Sequence, residues 1–188
     1  MSPAAVSDAQ LIARVLVQDD RHAFGELVRR HQSAVRACLR KLTAGNNALA
    51  DDLAQETFLL AYRNLKSFRQ EAKFSTWLYR IAYNAFLGDM RKTKELQLPG
   101  EEDADDVAMS DDTATPVARA VALSIDLQRA MAVLSDAERA AIVQCYHNDL
   151  SHEEAAFVLG CPVGTVKTHI LRAKQKLKTR LGAWAPEG

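Results

Sequence analysis

The sequence predicts an all-α protein made of two small helical domains joined by a flexible acidic linker, the second domain a helix-turn-helix. Three observations carry this. Apolar residues recur at helical spacing through both ends of the chain. The hydrophobic residues are mostly Ala and Leu while Gly and Pro are scarce, which favours helix over strand. Between them, residues 95–116 hold eight acids and no Lys or Arg, a stretch that repels itself and has little to bury. The chain has 188 residues, enough for one ordinary domain or two small ones, and its 48% hydrophobic share is too high for general disorder.

The elements follow in order. Leu11, Val15 and Leu16 share a face of a first helix, with Asp8 as N-cap. Phe24, Leu27, Val28, Val35, Leu39 and Leu42 form a second stripe, which Gly45-Asn46-Asn47 breaks. Leu49, Leu53, Phe58, Leu59 and Tyr62 mark a third helix. Ser75 or Thr76 caps a fourth, which carries Trp77, Leu78, Ile81, Ala82 and Ala85 and fades near residue 94. This bounds a first domain at 1–94, a linker at 95–117 and a second domain at 118–188. In the second domain, Ser135-Asp136-Ala137-Glu138 reads as a helix start, and Ser151 with Glu154 as a capping box. Gly160-Cys161-Pro162 closes that helix, and a last one runs to about Leu181. No internal repeat or alternating strand pattern is present.

The formal net charge of zero hides a segregation. Residues 62–94 hold eight bases against two acids, and residues 163–182 hold six bases and no acid. A single charge run usually means a solvated helix face. Two such runs, one beside a helix-turn-helix, fit phosphate binding, which needs clustered positive charge. Cys38, Cys145 and Cys161 are scattered and odd in number, so they make no disulfide framework and suit a reducing cytoplasm. The N-terminus lacks a signal-peptide pattern and no apolar run would span a bilayer, so a cytoplasmic protein without membrane insertion is expected. Cys145, His147, His152 and Cys161 form a possible zinc set, but Cys145-Tyr146-His147 is too tight for usual finger spacing. The expectation is no metal and no cofactor.

Residues 151–181 read as helix, tight turn, helix. Ala155 and Ala156 permit close helix crossing, and Val166, Ile170, Ala173 and Leu177 face the core. Lys167, Thr168, Leu171, Arg172 and Lys174 lie on the opposite side, an arrangement that suits a DNA major groove. In the first domain, Asp52, Gln55 and Glu56 stand at i, i+3 and i+4 within Asp51-Asp52-Leu53-Ala54-Gln55-Glu56-Thr57-Phe58. They form one acidic-polar patch on a helix, suited to a basic helical partner. No paired His or Ser and no glycine-rich cradle accompanies these carboxylates, so catalysis and a small-molecule substrate are not expected. Residues 68–84 interleave aromatics with bases, the equipment for holding unstacked bases.

Three of these segments carry a resemblance. Residues 160–177, with Gly-Thr-Val-Lys followed by Arg-Ala-Lys, resemble region 4 of the extracytoplasmic-function (ECF) sigma factors, which reads the promoter −35 element. Residues 51–58 resemble region 2.2 and residues 68–84 resemble regions 2.3 and 2.4. The resemblance covers about Ala23 to Leu181. It implies that Asp51, Asp52, Gln55, Glu56 and Phe58 bind bacterial core RNA polymerase at the β′ clamp helices, with region 4 at the β flap. It implies −35 contacts from Lys167, Thr168, Leu171, Arg172 and Lys174. At the −10 element it implies contacts from Phe68, Lys73, Phe74, Arg80, Asn84, Arg91 and Lys92, the loop from Phe68 to Phe74 bordering a pocket for a flipped base. By helical spacing, Trp77 and Phe74 also suit core packing. His169 departs from the family, where an Arg is common, and this weakens one phosphate contact. The resemblance further implies an anti-sigma partner and an acidic linker that threads a basic channel of the polymerase. A DNA-binding regulator that does not join polymerase would also account for the helix-turn-helix, but it leaves the acidic patch and the aromatic loop unexplained.

Overall fold

The computed structural model describes residues 6–96 and 130–182. The expected linker lies outside these residues except for Glu95 and Leu96, which continue a helix, and the helical signal near residue 118 lies outside them too. In chain order the described helices are α1 (Asp8–Gln18), α2 (Arg21–Leu42), α3 (Asn47–Asn64), α4 (Phe74–Leu96), α5 (Asp136–Ile142), α6 (His152–Leu159) and α7 (Val163–Gly182). A 3-10 turn, Leu65–Ser67, follows α3, and a π turn, Val143–His147, follows α5. There is no strand among the described residues.

Local chemistry sets most of the helix starts. Asp20 and Asn46 cap α2 and α3 by accepting from the backbone N–H groups of Ala23 and Leu49. Ser135 and Ser151 each close a reciprocal capping box, with Glu138 and Glu154 respectively. At α1 the cap is Ser7, which forms a box with Gln10. Asp8 sits inside the helix, its Oδ2 lying 2.7 Å from His31 Nε2 of α2. Helix α4 begins at Phe74, before the expected caps Ser75 and Thr76. The cause is packing: the Phe74 ring is buried among Phe68, Trp77 and His31, and this draws the chain into helix at that residue.

The buried faces differ in places from the large-residue stripes in the sequence. On α1 the buried set is Leu11, Ile12 and Val15, while Leu16 is 40% exposed. On α3 the buried face is mostly small, namely Ala50, Leu53, Ala54, Thr57 and Ala61, and Leu59 is 60% exposed. Small residues let α3 approach α2 and α4 closely and turn its larger side chains outward. Helix α4 is buried on two sides. Leu78, Ala82 and Ala85 belong to the core formed with α2 and α3, while Tyr79, Tyr83 and Phe86 extend its buried surface.

The extra buried surface arises because the C-terminal helices pack onto the N-terminal ones. Helix α6 lies against α4, and the π turn lies against α2. Ala140, Val143 and Val158 join the same core as Leu27, Leu39 and Leu78. A second, smaller core of Ala141, Ala155, Ala156, Val166 and Ile170 holds α5, α6 and α7 together. A polar contact crosses the junction: Asn148 Nδ2 donates to Cys38 Sγ at 3.2 Å and to Gln144 Oε1 at 2.8 Å. Cys38 and Gln144 are both fully buried.

Two stability predictions follow from the C-terminal helices. Gly160 has φ +66, and an added Cβ would meet nothing within 4 Å, so Gly160→Ala strains the backbone without a clash. Its expected cost in urea unfolding is ~1–2 kcal/mol. The buried carboxyl of Glu138 is held below the ordinary carboxylate range, mainly by the Lys176 ammonium at 2.8 Å and against the effect of burial. A depressed folded-state value means the stabilisation is present above the ordinary carboxylate pKa and is lost as pH falls through the lowered one. Lys176→Met is therefore expected to lower the neutral-pH Tm and to shrink the further fall in Tm on acidification, because the acid-sensitive contribution of Glu138 is then already missing at neutral pH, in melts recorded across a pH series.

Candidate nucleic-acid and partner interfaces

The α6–α7 pair forms a helix-turn-helix. Gly160, left-handed at φ 66 and ψ 33, ends α6, and its N–H donates to the Ala156 carbonyl. The chain then re-enters helix at Val163, with Thr165 and Val166 N–H groups donating to the Pro162 carbonyl. Val166, Ile170 and Ala173 are buried, and Leu177 is half-buried. The opposite face presents Lys167, Thr168, Leu171, Arg172 and Lys174, all exposed. Leu171 is 59% exposed, a large apolar side chain standing free between cations. The Thr168 hydroxyl donates to the Gly164 carbonyl at 2.9 Å, which leaves its methyl and its acceptor lone pairs facing outward. Lys174 lies over the Tyr146 ring, its Nζ 5.0 Å from the centroid, at the edge of this surface. His169 is half-buried.

Helix α4 offers the second basic surface. Arg80, Asn84 and Arg91 are exposed and fall on one stripe at helical spacing, with Lys92 exposed beside them. The Arg80 guanidinium lies 4.5 Å from the Phe157 ring centroid of α6, a cation–π contact between the two halves of the molecule. The loop before α4 carries exposed Lys73 and half-buried Phe68. Gln70 at its tip has φ 58. Phe68, Phe74 and Trp77 form a mutual cluster with centroids 5.2–5.7 Å apart. Phe74 is 5% exposed, so its ring is committed to the core and is not free to stack on a base. Phe68 and Trp77 are both half-buried, and Phe68 is the one of the two that lies in the loop itself.

The acidic patch on α3 divides in two. Asp52, Gln55 and Glu56 are exposed on one side. Asp51 is turned toward α2, its Oδ1 lying 3.3 Å from Arg36 Nε and 3.7 Å from Arg40 Nη2. Phe58 is half-buried and lines a groove of about 560 Å³ between α2 and α3, together with Phe24, Val28, Gln55, Leu59 and Tyr62. This mostly apolar groove next to the acids was not apparent in the sequence. Its signal was Leu59, a large residue out of phase with the alanines that α3 buries.

A helix-turn-helix with a basic exposed face, a second basic stripe on α4 and a separate acidic surface on α3 are the features of a DNA-binding protein with a protein partner. Residues 27–95 match the Sigma-70 region 2 family and residues 124–177 match Sigma-70 region 4. The ECF RNA polymerase sigma factor SigM of Mycobacterium tuberculosis is 39% identical over 176 residues, covering 94% of this chain and 85% of that protein. The structure of CnrH in complex with the cytosolic domain of CnrY is similar with a TM-score of 0.68 at 28% identity, covering 94% of this chain and 97% of that chain. The structure of the sigma factor RpoE with the anti-sigma factor NepR from Bartonella quintana has a TM-score of 0.67 at 26% identity, covering 85% and 96% of the two chains. The chain belongs to the ECF sigma factors, alternative initiation factors of RNA polymerase.

The buried and exposed positions of the aromatic loop separate in a stability measurement. Phe74→Ala removes a packed ring and is expected to cost ~3–5 kcal/mol in chemical denaturation. Lys73→Ala, fully at the surface, is expected to stay within ~0.5 kcal/mol of wild type.

Proposed function

We propose that residues 1–94 bind core polymerase and open the −10 element, that residues 118–188 read the −35 element, and that 95–117 connect the two. The observation that carries this is the separation of surfaces: base-reading and basic side chains stand exposed on α7 and α4, while the acids stand exposed on α3. Asp52, Gln55 and Glu56, with the groove lined by Phe58 and Leu59, meet the β′ clamp helices. Basic residues on that partner would match the acids, and apolar ones would fill the groove. Asp51, whose Oδ1 faces Arg36 and Arg40 and whose side chain is 39% exposed, stands at the edge of this surface.

At the −35 element, α7 enters the major groove. Arg172 donates to a guanine edge, the only edge that offers two acceptors to a guanidinium fork. Lys167 and Lys174 neutralise phosphates, and Leu171 with the Thr168 methyl supplies apolar contact suited to a thymine methyl. At the −10 element, Arg80, Arg91, Lys92 and Lys73 hold the backbone, and Asn84 and Phe68 meet bases released from the stack. The chain performs no chemistry in this scheme; polymerase synthesises the RNA. Region 4 meets the β flap, and an anti-sigma factor holds the free chain in the cytoplasm. The similar structures support that partner, since RpoE was solved with the anti-sigma factor NepR and CnrH with the cytosolic domain of CnrY.

In vitro transcription with core enzyme, paired with a core pull-down, tests this scheme. Asp52→Ala is expected to weaken core binding. Arg172→Ala is expected to leave core binding intact and to weaken promoter selection by ~1–3 kcal/mol, the worth of one bidentate base contact. Equal core affinity for wild type and Asp52→Ala would remove the clamp assignment.

A further inference from the structure

The segment that carries Phe68 is a short loop, residues 68–73, between the 3-10 turn and α4. Arg69, Gln70, Glu71 and Lys73 are exposed on it. A surface loop receives a base tightly only when its ends are already fixed, because any freedom left in it must be lost on binding.

Both ends are braced from the N-terminal helices. At the start of the loop, α1 packs against the 3-10 turn Leu65–Ser67. At its end, the Phe74 ring stands edge-to-face on His31 of α2, with centroids 5.3 Å apart. Phe74 in turn meets Phe68 at 5.5 Å. Three rings thus run in contact from α2 to the residue proposed to meet a released base.

The first ring of this series is itself held. The Asp8 Oδ2 of α1 accepts from His31 Nε2 at 2.7 Å, and the two side chains are 29% and 17% exposed. An imidazole has a broad torsion about its ring bond, and a carboxylate on one ring nitrogen sets the plane. Asp8 Oδ1 accepts from Arg30 Nη1 at 3.2 Å, and Arg30 also donates to the Val6 carbonyl at 2.6 Å. The carboxylate is therefore fixed at both oxygens. A carboxylate–imidazole pair between two helices ordinarily does no more than tie them together. Here the imidazole it orients is also the support of Phe74. Helix α1 lies outside the region 2 match, which begins at residue 27.

Resting on the function proposed above, we propose that α1 is a working part of the −10 module. Asp8 sets the His31 ring, His31 supports Phe74, and the loop bearing Phe68 is thereby preset to receive an unstacked base. Asp8 and His31 are positioning residues, and neither touches DNA.

Trp77 reports on the loop without polymerase, because its ring lies 5.2 Å from Phe68 and 5.7 Å from Phe74. The full chain has one other tryptophan, Trp184, so acrylamide quenching is read in a Trp184→Phe background. Asp8→Ala removes the hydrogen bond to the ring, and His31→Gln keeps a donor for Asp8 but removes the ring. Both are expected to raise the quenching of Trp77. Each factor is then joined to core polymerase and titrated with a fluorescent single-stranded oligonucleotide, the non-template −10 strand of a promoter that wild type transcribes. At a temperature well below every Tm, Asp8→Ala and His31→Gln are expected to weaken oligonucleotide binding by roughly three- to ten-fold, the worth of one edge-to-face ring contact. Core affinity and −35 duplex binding are expected to stay unchanged. Asp8→Asn keeps an acceptor oxygen for His31, and Arg30→Ala removes only the other arm of the carboxylate. Both are expected to bind the oligonucleotide within about two-fold of wild type.

A plain tie between α1 and α2 would lower the Tm of Asp8→Ala and His31→Gln and leave the oligonucleotide affinity of their folded holoenzymes unchanged. That outcome overturns the proposal. So does unchanged Trp77 quenching in both variants, or a loss in Asp8→Asn or Arg30→Ala as large as in Asp8→Ala. Failure of wild type to transcribe or to bind the oligonucleotide overturns the proposed function and this proposal with it. That failure is recognised separately, because quenching is read on the free factor. The reading rests on either variant alone if the other does not fold.

Discussion

Helix α4 carries apolar or aromatic side chains around most of its circumference, and water cannot be allowed to reach them all. Leu78, Ala82 and Ala85 are covered from the N-terminal side, and Tyr79, Tyr83 and Phe86 fall in the same continuous core. A helix that is hydrophobic nearly all round has to be enclosed. What remains open is the stripe of Arg80, Asn84 and Arg91. Helices α2, α3 and α6 supply that cover. Burial also pushes the Tyr79 and Tyr83 phenols up, so both stay neutral and act as packing groups.

The C-terminal helices meet a different constraint. Helices α5 and α6 have seven and eight residues, too short to be stable from propensity alone. Each has a reciprocal capping box at its start, and the left-handed Gly160 sets the turn into α7. The Glu138–Lys176 pair then ties the cap of α5 to the far part of α7. A rigid presentation of Lys167, Thr168, Leu171 and Arg172 is built from these end-group contacts and from a core made largely of alanines. The two halves of the molecule thus reach their folds by unlike means, one by bulk and the other by termination.

Much of this was legible in the sequence because helix periodicity and end signals are local. Ser135, Ser151 and Gly160 act where their residue types and spacings put them, and the exposed face of α7 follows from a simple period. The readings that departed from the structure have two physical sources. Large residues dominate a hydrophobic pattern, so the alanine face of α3 was masked by Phe58, Leu59 and Tyr62, and the start of α4 was assigned by hydroxyl caps when the Phe74 ring decides it. Contacts between distant residues leave no local mark. Cys38 and Gln144 are 106 positions apart, and nothing near either announces the other. The same holds for Asp51, whose partners Arg36 and Arg40 lie on the preceding helix.

The alanine-lined inner face of α3 has an evolutionary corollary. Its fully buried positions, Ala50 and Ala61, have no room to grow, because added methylenes would force the packed helices apart. Its outward residues, Leu59 among them, contribute little to that packing and can vary without loosening the bundle. Stability and partner choice are therefore written on opposite sides of one helix. Such a helix can acquire new binding preferences by drift on its outer side while the scaffold beneath it stays fixed.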